Sequence, residues 1–146
     1  MLNIFRNLSK NERQDLWPAA WRLGVARICL TGGIQRTQRW LGGMEPLPES
    51  LSAETELTAW QRRALALRRV GNRIPDTHCL ARALALRWWM RSKGLDAQMR
   101  IGVRAGEDGV ESHAWVEWNG VPVDETPEKI TRFKLLPTTT QPSRNP

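Results

Sequence analysis

With 146 residues, 40% hydrophobic and 25% charged, the chain holds enough apolar material for one domain around one core and too much for wholesale disorder. No apolar run approaches the roughly 18 residues of a membrane span, and the opening MLNIFRNLSKNERQDL lacks a signal-peptide core, so a cytoplasmic address is expected. The net charge of +7 is concentrated early: residues 1–75 carry 12 Lys/Arg against 6 Asp/Glu, and residues 76–146 carry 10 against 9. That asymmetry admits a nucleic acid, an acidic membrane or an acidic partner, but a solvated arginine-rich helix face explains it more simply.

Residues 9–31 read as a helix. Ser9 stands three residues before Glu12, a capping-box spacing, and Leu16, Ala20, Leu23 and Leu30 recur at helical intervals with Trp17, Trp21, Val25 and Ile28 widening the stripe. Pro18 predicts that the helix starts there or kinks there. A short second helix is expected over Ile34–Leu41, between two Gly-Gly pairs, and MEPLPESL at 44–51 reads as a connector. Ser52 can cap a third helix from about Ala53 to Asn72, with Leu57, Trp60, Ala64, Leu67 and Val70 as its apolar stripe and Arg62, Arg63, Arg68 and Arg69 mostly off it. Pro75 prevents continuation, and Asp76 or Thr77 can cap a fourth helix running from about His78 to Ser92 and ending at Gly94. This one is apolar nearly all round, as a central buried helix should be.

The period then changes from helical to alternating. Met99, Ile101 and Val103 alternate with polar residues or glycine and read as a strand; RAGEDGV at 104–110 reads as a turn, Glu111–Trp118 as a second strand, Asn119-Gly120 as a hairpin turn, and Val121 to about Glu125 as a third strand. Beyond Ile130 the signal fades. The expectation is an α+β fold, helices on one side of a small antiparallel sheet, in one domain over 1–136 (helical over 1–52, core over 53–136) with a flexible tail over 137–146.

Two cysteines make no disulfide framework. Cys29, between Ile28 and Leu30, reads as a structural residue of a helix. Cys79 falls in the first turn of the buried helix, where unpaired N–H groups and the positive end of the dipole favour the nucleophilic thiolate. His78 cannot easily turn onto that sulfur, because neighbouring helix residues point about 100° apart. His113, on the second strand, is the candidate base, with Trp115 and Glu117 on its face. The orienting acid depends on the hairpin. A two-residue turn at Asn119-Gly120 sets Asp124 opposite Trp115, on the face of His113; a bulged turn brings Glu125 opposite His113 instead. The acid is therefore Asp124 or Glu125, with Asp124 favoured. The two Cys and two His lack metal-finger spacing, no glycine-rich phosphate loop or Gly-x-Ser-x-Gly elbow is present, and neither a metal nor a cofactor is expected.

These residues resemble a known family. Cys79-Leu-Ala-Arg-Ala-Leu-Ala-Leu-Arg-Trp, then Lys93-Gly94, Ile101-Gly102-Val103-Arg104, and His113-Ala-Trp-Val-Glu117 followed by Asn119-Gly120, together look like the B proteins of lasso-peptide biosynthesis, leader-peptide cysteine peptidases of the transglutaminase-like superfamily. The opening LSKNERQDLWPAAWRLGVARICL is similar to that family's first helix, so the resemblance covers roughly Leu8 to Pro127. It implies a papain/transglutaminase-like core and a Cys79–His113–acid mechanism. The B proteins often read Asn-Asp where this chain reads Asp124-Glu125, which points to Glu125; the wider superfamily often reads Leu-Asp-x-Thr, which Val123-Asp124-Glu125-Thr126 matches and which points to Asp124.

The resemblance further implies the substrate and partners. The substrate is a ribosomally made precursor peptide, cut after a leader whose penultimate residue is Thr, so that a small S2 pocket is expected. A small leader-recognition protein, expected here as a separate chain, presents the leader, and an ATP-dependent cyclase acts on the freed core. Trp17, Trp21 and Trp40 suggest a docking surface for that partner, against the simpler expectation that they pack under the third helix. Two rival classes remain open: acyl transfer from the same thioester to an amine, and a non-enzymatic basic interaction protein. Nucleic acid and a membrane span are not expected partners.

Overall fold

The structure, a computed structural model, describes residues 8–33, 53–74 and 78–137. The expected helix over 34–41 with Trp40, the connector at 44–51, the candidate caps Ser52, Asp76 and Thr77, and residues 138–146 of the expected tail lie outside the described residues.

Helix α1 spans Lys10–Leu30 and opens on the capping box: Glu12 N–H donates to Ser9 Oγ at 3.3 Å, and Ser9 N–H donates to Glu12 Oε2 at 2.8 Å. It does not begin at Pro18; the helix continues through it, and Arg22 donates to the Pro18 carbonyl at 3.3 Å. The buried stripe is Asp15, Ala19, Leu23 and Ala26, rotated from the one that side-chain size suggests. Alanines at 19 and 26 let α1 approach its neighbours closely, and Trp17 and Ile28 are left outside, 77% and 72% exposed. Trp21 is partly exposed and meets Trp88 edge-on with ring centroids 5.2 Å apart.

Helix α2 (Ala53–Gly71) buries Trp60, Ala64, Ala66 and Leu67, with Leu57 and Val70 packed beside them. Its arginines are held inside the chain. Arg62 pairs with the buried Asp15 at 2.7 Å and Arg63 with the same carboxylate at 3.7 Å; Arg69 pairs with Glu12 at 2.9 Å; Arg68 pairs with Glu125 at 3.2 Å. The Arg63 guanidinium also lies over the Trp60 ring, 4.3 Å from its centroid. The arginine-rich face is thus the seam that joins α2 to α1 and to the end of the sheet, and is not an open basic surface.

Helix α3 (Cys79–Ser92) lies between α1 and α2 on one side and the sheet on the other. Ala81, Ala83–Leu86, Trp89 and Met90 are buried, and each large side chain among them contributes about 1.5–3 kcal/mol of apolar burial. Gly94, with φ 84°, ends it in the left-handed conformation that favours glycine. Among the described residues no helix is long and apolar enough to cross a membrane.

The sheet is antiparallel, in the order β3-β2-β1-β4. Strands β1 (Ala97–Gly106) and β2 (Gly109–Trp118) pair along their whole lengths, so the turn expected over 104–110 contracts to Glu107-Asp108. Strand β3 is only Val121–Pro122. The short helix α4 (Pro127–Ile130) and strand β4 (Lys134–Leu135) follow, beyond the point where sequence patterning fades; β4 adds to β1 opposite Gly102 and Val103. Ala114, Val116 and Trp118 of β2 join the core with α3, while Trp115 is buried on the opposite face under Phe133.

Phe133 approaches so closely because Gly102 has no side chain. A Cβ there would lie 2.7 Å from Phe133 Cβ and 3.0 Å from the Trp115 ring. Gly102→Ala should therefore lower the unfolding free energy by about 1–3 kcal/mol through overpacking, read as a reduced urea midpoint with an unchanged slope.

Candidate active site

The site forms where β3 leaves β2. The Asn119-Gly120 turn holds two residues, with positive φ at both (51° and 77°), and it sets Trp118 opposite Val121 and Glu117 opposite Pro122. Val123 N–H still donates to the Val116 carbonyl at 2.9 Å. The reciprocal bond of a regular ladder would run from Val116 N–H to the Val123 carbonyl. Here Val116 N–H donates to Asp124 Oδ1 at 2.8 Å instead. A side chain replaces the main-chain acceptor, the strand ends, and the edge of β2 below Val116 is left open.

Two reactive side chains converge on that open edge. Ala114 N–H, which a longer β3 would have covered, faces the Cys79 thiol and favours its thiolate. Cys79 is the first residue of α3, and the N-cap, His78, is exposed and supplies no side-chain cap bond. His113, one residue before Ala114, lines the same cleft as the thiol and favours its thiolate. Its Nε2 lies 2.8 Å from Glu125 Oε1, which leaves Nδ1 to face the sulfur. The ring stands between Trp115, whose centroid is 6.1 Å away, and Phe133, at 5.4 Å. Trp115 is itself fixed, its indole N–H donating to Glu117 at 3.1 Å.

The acid beside the imidazole is Glu125, not the favoured Asp124. The two-residue turn forms as expected, but the face it assigns to Asp124 requires the strand to continue, and the chain bends at 123–125. Asp124 holds the ladder end; Glu125, released from it, reaches His113. Glu125 Oε1 also accepts from Lys129 at 2.8 Å and from Arg68 at 3.2 Å, and Arg68 donates in addition to the Asp124 carbonyl at 3.2 Å. Sequence reasoning named neither cation. The Glu125–Lys129 spacing, i to i+4, was a usable signal; nothing local marks Arg68, which lies 57 residues away. Cys29 sits partly buried in the last turn of α1.

The electrostatics follow from these contacts. Burial pushes the Cys79 thiol up, but the hydrogen bonds from His113 and Ala114 N–H and the charges of His113 and Arg82 outweigh it, so the thiol is held below its ordinary 9.0. The thiol and Glu125 both hold His113 above 6.5 against its own burial. Burial raises Glu125 as well, and Lys129 and His113 bring it below 4.5. Asp124 goes the other way: burial, with the Glu125 charge adding to it, pushes its carboxyl up to about 6 despite the bond from Val116 N–H. The arrangement can supply a sulfur nucleophile, a proton carrier and an anion that fixes the carrier's tautomer. Among the described residues no three His, Cys, Asp or Glu groups could hold a metal ion.

A family model, the Transglutaminase-like superfamily, matches residues 29–138, a span that contains α2, α3, the whole sheet and every group just described. The chain belongs to that superfamily. No curated protein and no solved structure matches it.

The two neighbouring carboxyls make opposite demands on pH. A carboxyl with a raised folded-state pKa binds its proton more tightly folded than unfolded, so stability falls as pH rises from 3.8 to about 6. Asp124→Asn keeps an oxygen acceptor for Val116 N–H and removes the charge. Relative to the parent, that variant should gain up to about 3 kcal/mol in urea unfolding between pH 4 and pH 7. Asp124→Ala, which leaves Val116 N–H unpaired, should instead lose about 1–3 kcal/mol at pH 4.

Proposed function

We propose that the chain is a cysteine peptidase that removes the leader from a ribosomally synthesised lasso-peptide precursor. The observation that carries this reading is the run of Cys79, His113 and Glu125 on one cleft at the open edge of β2, with His113 and Glu125 in hydrogen-bond contact at 2.8 Å. Superfamily membership supports the chemistry. The resemblance of the Cys79 helix and the His113 strand to the lasso-peptide B proteins supports the substrate.

In this reading Cys79 Sγ attacks the scissile carbonyl, its proton held by His113. Glu125 keeps the imidazole in the useful tautomer and supports its positive charge. Backbone N–H groups in the first turn of α3, Cys79's own among them, stabilise the oxyanion. The C–N bond breaks as His113 Nδ1 gives its proton to the leaving amine of the core peptide. Water, deprotonated by His113, then attacks the thioester, releasing the leader as a carboxylic acid and restoring the thiol. A separate leader-recognition protein raises the local concentration of the leader, and the freed amine is the group an ATP-dependent cyclase then uses.

The test is cleavage of a lasso precursor with its recognition protein, read by mass spectrometry. Cys79→Ala should give no cleavage, and the parent should give a free leader acid. An amide-linked leader in the presence of added amine would instead mark the chain as an acyltransferase.

The pH dependence tests the assignment of the acid. The thiolate–imidazolium pair exists above the lowered Cys79 pKa and below the raised His113 pKa, so kcat/KM should be bell-shaped. Glu125→Gln removes a charge that raises His113, so the alkaline limb should move to lower pH, with a rate loss of roughly 10²-fold or more. An unmoved alkaline limb would leave Glu125 without its assigned part.

A further inference from the structure

The cleft that holds Cys79 has two arginines on its wall, Arg68 from α2 and Arg82 from α3. They differ in one respect. Arg68 is engaged within the chain, by the Glu125 carboxylate and the Asp124 carbonyl. The Arg82 guanidinium makes no hydrogen bond and no ion pair among the described residues. It is nevertheless half-buried, and it lies one turn along α3 from Cys79, close enough for its charge to bear on the thiol. The other charged groups on the cleft are His113, Asp124 and Glu125; Glu125 is already matched by three cationic partners, and Asp124 is turned to Val116 N–H.

A partly exposed guanidinium that no acceptor among the described residues engages keeps its donors available to a ligand. Its fork of donors fits a carboxylate better than any other common peptide group. We infer that Arg82 forms an anion subsite beside Cys79 that takes a carboxylate of the peptide at or next to the scissile bond. Two sources carry that chemistry. One is an acidic side chain flanking the cut. The other is the carboxylate that hydrolysis creates on the acyl half, at the very carbon that Cys79 had attacked. Only the peptide origin of the carboxylate rests on the peptidase reading; the subsite itself is a property of the resting protein.

Alkylation of Cys79 separates the two questions, because it needs no turnover. Iodoacetate is anionic and iodoacetamide neutral, and both place the same carbon on the same sulfur. The ratio of their rates, measured at Cys79 by peptide mass spectrometry so that Cys29 does not contribute, reads the local preference for an anion. Charged His113 also favours iodoacetate, so the quantity of interest is the change on substitution. Arg82→Gln should lower the iodoacetate-to-iodoacetamide ratio by roughly tenfold at low ionic strength, and Arg82→Lys should retain most of the parental ratio. Added salt should shrink the difference. Equal ratios in the parent and Arg82→Gln, with circular dichroism unchanged, would overturn the subsite.

The source of the carboxylate is read by protection against iodoacetamide. N-acetyl-alanyl-alanine carries a terminal carboxylate, and N-acetyl-aspartyl-alanine amide carries a side-chain one. Protection of the parent by either, lost in Arg82→Gln, assigns that source; failure of both to protect overturns the assignment to peptide carboxylates.

Discussion

The hydrogen bond from Val116 N–H to Asp124 Oδ1 governs how the site is built. In a continuing hairpin a main-chain carbonyl of β3 would take that proton, the next residues of β3 would cover Ala114 N–H, and the edge of β2 would be closed. The carboxyl instead ends the ladder one step early. Ala114 N–H becomes available to the Cys79 sulfur, and the chain turns so that Glu125 meets His113. Burial at this point pushes the Asp124 carboxyl up to about 6, and the hydrogen bond from Val116 N–H is the largest of the contacts that oppose that burial.

The groups of the site come from α3, β2 and the turn after β3, and burial of α3 brings them together. Ala81, Ala83 and Ala85 let the helix sit close to both layers, so the thiol at its first residue is fixed by packing along its length. On the far face of the sheet, Phe133 and Trp115 confine the imidazole, and the bare Gly102 makes room for that layer. The thiol's environment is thus set by helix packing, and the imidazole's orientation by a small aromatic layer on the other side of the sheet.

The charge of the chain has an equally local explanation. Glu12 completes the cap of α1 with one oxygen and binds Arg69 with the other, while Asp15 receives Arg62 and Arg63. Arg68 continues the same row to Glu125. A helix face that looks like a basic patch in one dimension is, in three, a set of bonds between α1, α2 and the turn after β3. Its contribution is orientation more than net stability, since partly exposed ion pairs are each worth little.

Much of this was legible in the sequence. The capping box at Ser9, the apolar stripe of α2, the all-round apolar α3, the β1–β2 hairpin and the Asn119-Gly120 turn depend on local pattern and chain geometry, which a sequence carries directly. So did the pairing of a helix-start cysteine with a strand histidine. The tertiary structure decided what depends on partners far along the chain. It turned the alanines of α1 inward and left Trp17 outside, because close packing against α2 and α3 outweighed side-chain size. It added β4, a strand too short to show a period. It gave the imidazole to Glu125, because a parity argument holds only while a strand continues, and a buried carboxyl accepting from Val116 N–H stopped it.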